Sequence, residues 1–275
     1  MSLGDLTRIS TNLQALQAYT YLQRTNSELG VRQLRLATGS RINRAEDDSA
    51  GYSIAAKLKA KIRAQEQALA NIGDAKSMLT VAESSLNSIM EILQTMKEKA
   101  VQAANDTMGT EERNAIEDQL DALAAEIDDI VADTEFNGTA LFTSTTFTFQ
   151  VNAEAGDTFT ATIGTLSAAQ LSVADADLVV SSAASASASI AKIDNAIQTI
   201  ANKLADVGAY QRRLSFKLDN LAVAKDNYEA ARSRIADADF AYEQMQLAKL
   251  QILQQTGIAA LAQANAAPQA VLQLF

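Results

Sequence analysis

The sequence has no histidine, no cysteine and no tryptophan, and a single proline, Pro268, in 275 residues. Without cysteine there is no thiol nucleophile and no disulfide. Without histidine there is no imidazole base, and the usual zinc, haem and di-iron ligand sets cannot be assembled. The eleven glycines form neither a dinucleotide fingerprint nor a phosphate loop. No metal, cofactor or enzymatic chemistry is therefore expected. The formal net charge of −10 offers no basic stripe to neutralise phosphates, which excludes nucleic acid. No run of 18 apolar residues exists, so no transmembrane helix is expected. The segment Met1 to Gly30 lacks a basic region followed by an apolar core, so export with a cleavable signal is not expected either. A chain without thiols suits an export step taken unfolded.

What is present favours helix. Ala and Leu dominate the apolar fraction, and the scarcity of proline lets helices run long. Ile72, Ala75, Leu79, Ala82, Leu86, Ile89, Leu93, Met96, Ala100 and Ala103 alternate steps of three and four without a break, as in helices packed side by side. The spacing predicts a helix from near Ser49 to near Met108-Gly109, a rod of roughly 90 Å at 1.5 Å per residue. A second seam reads Ile116, Leu120, Leu123, Ile127 and Ile130, with Thr110 as its expected cap and Glu111 and Glu112 near the positive end of the helix dipole. A third reads Ile190, Ile193, Ile197, Ile200, Leu204, Val207, Gln211, Leu214, Leu218, Leu221, Lys225 and Tyr228, whose polar members Gln211 and Lys225 set register rather than add stability. The acidic run from Glu111 to Glu135 reads as a solvated face.

Between the second and third seams, Asn137-Gly138 signals a tight turn. Phe147, Phe149 and Val151, then Phe159, Ala161 and Ile163, alternate with polar residues across a loop at 152–156, predicting a β-hairpin with one apolar face. The Ser/Ala run Ser181 to Ser189 reads as a surface turn. The ends differ from the middle. Leu6, Ile9, Leu13 and Leu16 form a short stripe, and from Leu250 to Phe275 no side chain is charged. Leu250, Leu253, Gly257, Leu261 and Ala264 line one stripe there, and Ile252, Ala259 and Ala262 widen it. Such an end needs a partner, either another molecule or its own bundle.

These ends carry a recognisable text. Arg35-Leu36-Ala37-Thr38-Gly39-Ser40-Arg41-Ile42-Asn43 and Asp47-Asp48-Ser49-Ala50-Gly51 resemble the N-terminal signature of bacterial flagellins. Phe136-Asn137-Gly138, Phe149-Gln150-Val151, Gln211-Arg212-Arg213-Leu214, Ser233-Arg234-Ile235-Ala236-Asp237 and Gln263-Ala264-Asn265 are similar to later words of the same family, in order over nearly the whole chain. The resemblance implies a mainly α fold: a bundle of heptad-seamed helices, a small β-hairpin region at 137–165, and a terminal two-helix coiled coil made from both chain ends. It implies an inner domain of 1–40 with 236–275, a connecting loop at 41–48 and an outer rod at 49–235. The short middle implies a minimal flagellin lacking most of the variable outer domains.

By the same resemblance the chain is an extracellular homopolymer serving motility. It passes through the flagellar export apparatus with a cytoplasmic chaperone on its C-terminal segment, and meets the filament cap and hook-associated junction proteins. The inner helices would carry self-assembly through Leu6, Ile9, Leu13, Leu16, Leu250, Leu253, Ile258 and Leu261. Arg41, Arg44, Asp47 and Asp48 would form ion pairs between subunits, or be ordinary surface charge. Both ends are expected to order only in the polymer. Ser and Thr at 143–146 and 181–189 are candidate O-glycan acceptors. In flagellins sensed by an animal Toll-like receptor the first rod helix reads approximately L-Q-R-x-R-E-L-A-V-Q. This chain has Thr95 in place of the first Arg and Lys99 in place of the second Leu. A hook–filament junction protein and, in another class, a soluble coiled-coil adaptor are the competing readings.

Overall fold

A computed structural model describes residues 11–143 and 146–272, for Ala176 and 267–272 the backbone alone. Five α-helices carry the described chain: α1 (Leu13–Thr38), α2 (Ser49–Ala103), α3 (Thr110–Asp133), α4 (Ala183–Ala236) and α5 (Phe240–Leu272). Two small antiparallel pairs, β1–β2 (Glu135–Phe136 with Thr139–Ala140) and β3–β4 (Phe147–Gln150 with Thr158–Ala161), and a 3-10 turn at Asp175–Asp177 lie between α3 and α4. Contacts divide the chain into two units, Met1–Lys61 with Asn227–Phe275, and Ile62–Asp226.

In the second unit the α2 seam is the spine. All ten of its predicted positions are 0% exposed. α3 and α4 run antiparallel to α2. Lys225 meets Glu66 (3.2 Å), Lys76 donates to Ser215 (3.0 Å), Gln211 to Glu83 (2.8 Å), and Lys97 meets Asp194 (2.6 Å), so the α2 number rises steadily as the α4 number falls. Gln211 and Lys225, the polar members of the α4 seam, thus each find a carboxylate on α2. That seam is asymmetric. Ile193, Ile200, Val207, Leu214 and Leu221, seven residues apart, are buried, whereas Ile190, Ile197, Leu204 and Leu218 are half-buried at its edge. In α3 the buried set is Ile116, Leu120, Ala124, Ile127 and Val131. Leu123 and Ile130 flank the core instead of filling it.

Several boundaries differ from expectation for local reasons. α2 stops at Ala103 because Asn105 turns its own backbone, accepting from the Thr107 amide (3.2 Å). Arg113 then reaches back to the carbonyl of Ala103 (2.9 Å), at the end of α2 where helical donors run out, and to that of Asn105 (3.1 Å) in the turn. The cap of α3 is Gly109, and Thr110 is the first helical residue. The Ser/Ala run is helix and not turn: α4 begins at Ala183. Ser182 and Ser185 exchange amide-to-hydroxyl bonds (2.9 and 3.2 Å) across its first turn, a reciprocal cap.

Asn137 and Gly138 both adopt positive φ (52° and 74°), the conformation a two-residue hairpin between β1 and β2 demands. The second hairpin pairs Phe149 with Phe159 and Phe147 with Ala161. Val151, Phe159, Ala161 and Ile163 are buried. Phe159 meets the Tyr210 ring edge-on at 5.9 Å, with Arg213 4.9 Å from its own centroid. This packing on α4 supplies what an isolated hairpin lacks.

The acidic run on α3 is only partly a solvated face. Asp128 accepts from the Ala168 amide (2.7 Å) and Glu117 from the Val180 amide (3.3 Å), so α3 holds the returning segment by its carboxylates. Asp121 lies between them on the same face. Burial, then the nearby carboxylate of Asp175, raises its pKa to about 6. The unfolded chain ionises at this position first, so stability falls as pH rises from about 4 to about 6 and levels above it. Asp121→Asn should flatten that window and raise stability at pH 7.5 by on the order of 1 kcal/mol, after allowance for its partial solvent access. Urea unfolding of both proteins at pH 4.5, 6 and 7.5 checks this; parallel pH profiles would contradict it.

Candidate assembly interface

α1 and α5 lie along each other, antiparallel, within the first unit. α1 starts at Asn12, whose side chain accepts from the Ala15 amide, and ends at Gly39 in the left-handed conformation (φ 67°). Its inward line is Asn12, Ala15, Ala18, Leu22, Thr25, Leu29 and Arg32, and that of α5 is Glu243, Leu247, Leu250, Gln254, Gly257, Leu261 and Ala264. Both lines step by threes and fours, and on both leucines are interspersed with small, polar or charged residues. No side chain of α1 is fully buried. On α5, among the residues whose side chains are described, only Leu250 and Glu243 are.

Many of the large apolar side chains of this pair point elsewhere. Leu13, Leu16 (62% exposed), Tyr19, Tyr21 (68%) and Val31 on α1 are exposed, as are Phe240, Met245, Ile252 (62%), Leu253 and Ile258 on α5. Of the candidate assembly residues, Leu13, Leu16, Leu253 and Ile258 therefore belong to the open face, Leu261 is half-buried on the inward line, and Leu250 is buried. Leu6 and Ile9 lie outside the described residues. No helix here is long and apolar enough to cross a membrane among the described residues.

The loop between α1 and α2 is tied to the α4–α5 junction. The Arg41 amide donates to Ala236 O (2.6 Å), the Ala238 amide to Gly39 O (2.9 Å), and the Arg41 guanidinium to Ile235 O (2.7 Å). The Asn43 and Arg44 amides both donate to Asp47 (3.0 Å each), and these bonds, Arg44's foremost, hold its carboxyl below the usual range. Asp48 caps α2, accepting from the Gly51 amide (2.9 Å). Gly51 sits so close that a Cβ would press on the Asp48 carboxylate and come 2.8 Å from Ile42 Cδ1. Arg41, Asp47 and Asp48 thus have partners inside the chain. The Arg44 side chain meets Glu46 (3.0 Å), both about 70% exposed, and remains accessible. Thr95 is exposed with its hydroxyl bonded to Glu91 O (3.0 Å), and Lys99 is half-exposed. Ser189 is buried, donating to Val179 O (2.9 Å), and so is no glycan acceptor. Ser144 and Thr145 lie outside the described residues.

Glu243 escaped the sequence reading. Its carboxylate, 4% exposed, accepts from Arg32 through both oxygens (2.9 and 3.0 Å) and lies 3.5 Å from Arg35. Continuing the α1 seam through Arg32 would have flagged a charge at an inward position.

Residues 9–146 match the bacterial flagellin N-terminal helical region, and residues 190–275 match its C-terminal helical region. The chain belongs to the bacterial flagellin family. It is 36% identical to the 33 kDa core protein of the flagellar filament of Treponema phagedenis, over 97% of this chain and 99% of that one. It is 36% identical to the flagellin of Halalkalibacterium halodurans (97% and 99%) and 34% identical to that of Bacillus subtilis (98% and 99%). A flagellar hook-associated protein from Vibrio parahaemolyticus shares the fold: TM-score 0.61 at 16% identity, over 70% of this chain and all of that one.

The cap on α2 has a measurable consequence. Asp48→Ala should cost about 1 kcal/mol locally, as loss of a helix cap usually does, and speed hydrogen exchange at the Gly51 amide about fivefold. Unchanged exchange at Gly51 would show that the cap contributes nothing there.

Proposed function

We propose that this flagellin is the structural subunit that polymerises into the bacterial flagellar filament, serving motility and lying outside the cell. The carrying observation is the α1–α5 pair: no α1 side chain is fully buried, while large apolar groups on both helices stand open. Each exposed side chain of this size gains about 1.5–3 kcal/mol when covered, and neighbouring copies of the same pair are the natural cover. A soluble adaptor would not leave such a face bare. The likeness to a hook-associated protein concerns the fold alone and gives no preference for a junction role.

On this reading residues 1–40 with 236–275 form the inner domain, 41–48 the connection and 49–235 the outer part. Leu13, Leu16, Leu253 and Ile258, with Leu6 and Ile9, meet neighbouring subunits, and Leu250 and Leu261 steady the pair from within. Arg44 is the loop residue left for a partner subunit. The protein has no enzymatic activity. It leaves the cell through the flagellar export apparatus without signal cleavage, escorted by a chaperone, and contacts the cap and the junction proteins.

Deleting Leu250 to Phe275 should leave the 62–226 unit folded, with a cooperative melt, yet abolish polymerisation. Filaments from the truncated chain, seen by electron microscopy, would refute the proposal. The ends, paired but coreless, should be cleaved by protease at least about tenfold faster in the soluble chain than in filaments, since an unpacked pair opens more often.

Activation of the animal receptor by soluble protein should be weak. Thr95 offers no forked donor set and Lys99 must be desolvated on contact. Thr95→Arg with Lys99→Leu should raise the reporter-cell response; strong signalling by the unaltered protein would reject the idea.

A further inference from the structure

We propose that the buried carboxylate of Glu243, held by Arg32 and Arg35, sets the register in which α1 and α5 pair. Apolar contact does this only in part. The inward residues are mostly Ala, Gly and single leucines, so a slip of one helical turn exchanges one sparse apolar line for another. Leu22, now seated over Gly257, would meet the bulkier Leu261 or Leu253, a more crowded contact but still an apolar one. Glu243 behaves differently. A slip would carry it from the arginines toward Leu36 in one direction or Leu29 in the other, both on the inward side of α1. A carboxylate only 4% exposed opposite leucine has no counter-charge and little water, which strongly disfavours that state.

Two weaker polar ties agree with the same alignment. The Gln254 amide donates to the Asn26 side chain (2.7 Å), and the Asn12 amide donates to Ala264 O (2.7 Å) near the far end. The ion cluster lies next to the loop that joins α1 to α2, where chain connection already limits sliding. Its role is to extend that alignment into a pair whose outer apolar pattern must match a neighbouring copy. A polar group that fixes helix register is the best-attested use of a buried charge. The consequence for assembly rests on the filament reading; the register assignment does not.

The chain lacks cysteine, so register can be read by disulfide formation. Leu22 Cβ is 4.0 Å from where a Cβ on Gly257 would stand, within disulfide reach. Leu22→Cys with Gly257→Cys reports the native register in the full soluble chain, and Leu22→Cys with Leu261→Cys or Leu253→Cys reports a slip. With the cluster intact, the native product should exceed either slipped product at least about tenfold. Glu243→Gln should bring a slipped product to within about twofold of it. Reversing the charges, with Arg32→Glu, Arg35→Gln and Glu243→Arg together, should restore the native product.

Three results overturn the proposal: no native cross-link in the parent chain, an undiminished native preference in the Gln variant, or failure of the reversed variant to recover it. A Gln variant that cross-links nowhere and is not rescued by reversal counts with the third. A parent chain that cross-links natively but never polymerises would remove the filament reading and leave the register assignment standing.

Discussion

The rest of the structure depends on the unbroken apolar seam of α2. Ten successive positions, stepping by three and four from Ile72 to Ala103, are all removed from water. Covering both lines of such a seam requires flanking apolar surface, and α3, α4 and the hairpin supply it. Because α2 is covered on both lines, α3 and α4 need offer mainly one buried line each, which on α4 small residues such as Ser189 and Ala196 widen near its start. The strict seven-residue recurrence from Ile193 to Leu221 on α4 follows from that, and so does the room at its edge for Gln211 and Lys225 to pair with Glu83 and Glu66. Those pairs are partly exposed and add little energy. They distinguish one alignment from its neighbours, which a long uniform seam does poorly.

How much of this is legible in the sequence divides along the same line. A seam of Ile, Leu and Met with no polar interruption announces both helix and burial, and α2 is read from it to within a few residues at its C-terminus. Asn137-Gly138 announces its turn because few other residue pairs accept two positive φ values. Alternating Phe, Val and Ile announce the second hairpin for a similar reason. What stays hidden is the use of polar residues. Glu117 and Asp128 look like ordinary helix-surface acids, and their bonds to the amides of Val180 and Ala168 depend on where a 50-residue excursion returns. Serines at 182 and 185 look like a linker because Ser is a poor helix former, yet the two together make a reciprocal helix start.

The candidate interface shows the opposite difficulty. Its large apolar residues are conspicuous, but periodicity says only that they share a face, not which way it looks. Leu13 and Leu16 on α1 fall outside the inward line Ala15, Ala18, Leu22, where small residues on each helix, such as Ala15, Ala18, Gly257 and Ala264, leave place for only an occasional leucine. Small residues draw two helices close, and the large ones are then directed outward by exclusion. Glu243 is missed in sequence for a related reason: an acid near the start of a helix has an ordinary explanation in the helix dipole, and its burial is fixed only when Arg32 arrives from more than 200 residues away.

The two units therefore distribute hydrophobicity in contrary ways, and the contrast bears on assembly. In 62–226 most apolar groups are consumed inside one chain, with a few exceptions such as Phe216 and Val223 left exposed. In the α1–α5 pair many of the large apolar groups are withheld from the chain's own interior, and what faces inward is a sparse line of leucines among small and polar residues, polar enough to specify but too sparse to stabilise. A pair of that kind has a defined alignment and an incomplete core. Covering its outer face by other copies both completes the core and rewards only the alignment that presents the matching pattern. Stability and specificity then reside in different residues, the exposed leucines, tyrosines and isoleucines in one case and the buried carboxylate with its two arginines in the other.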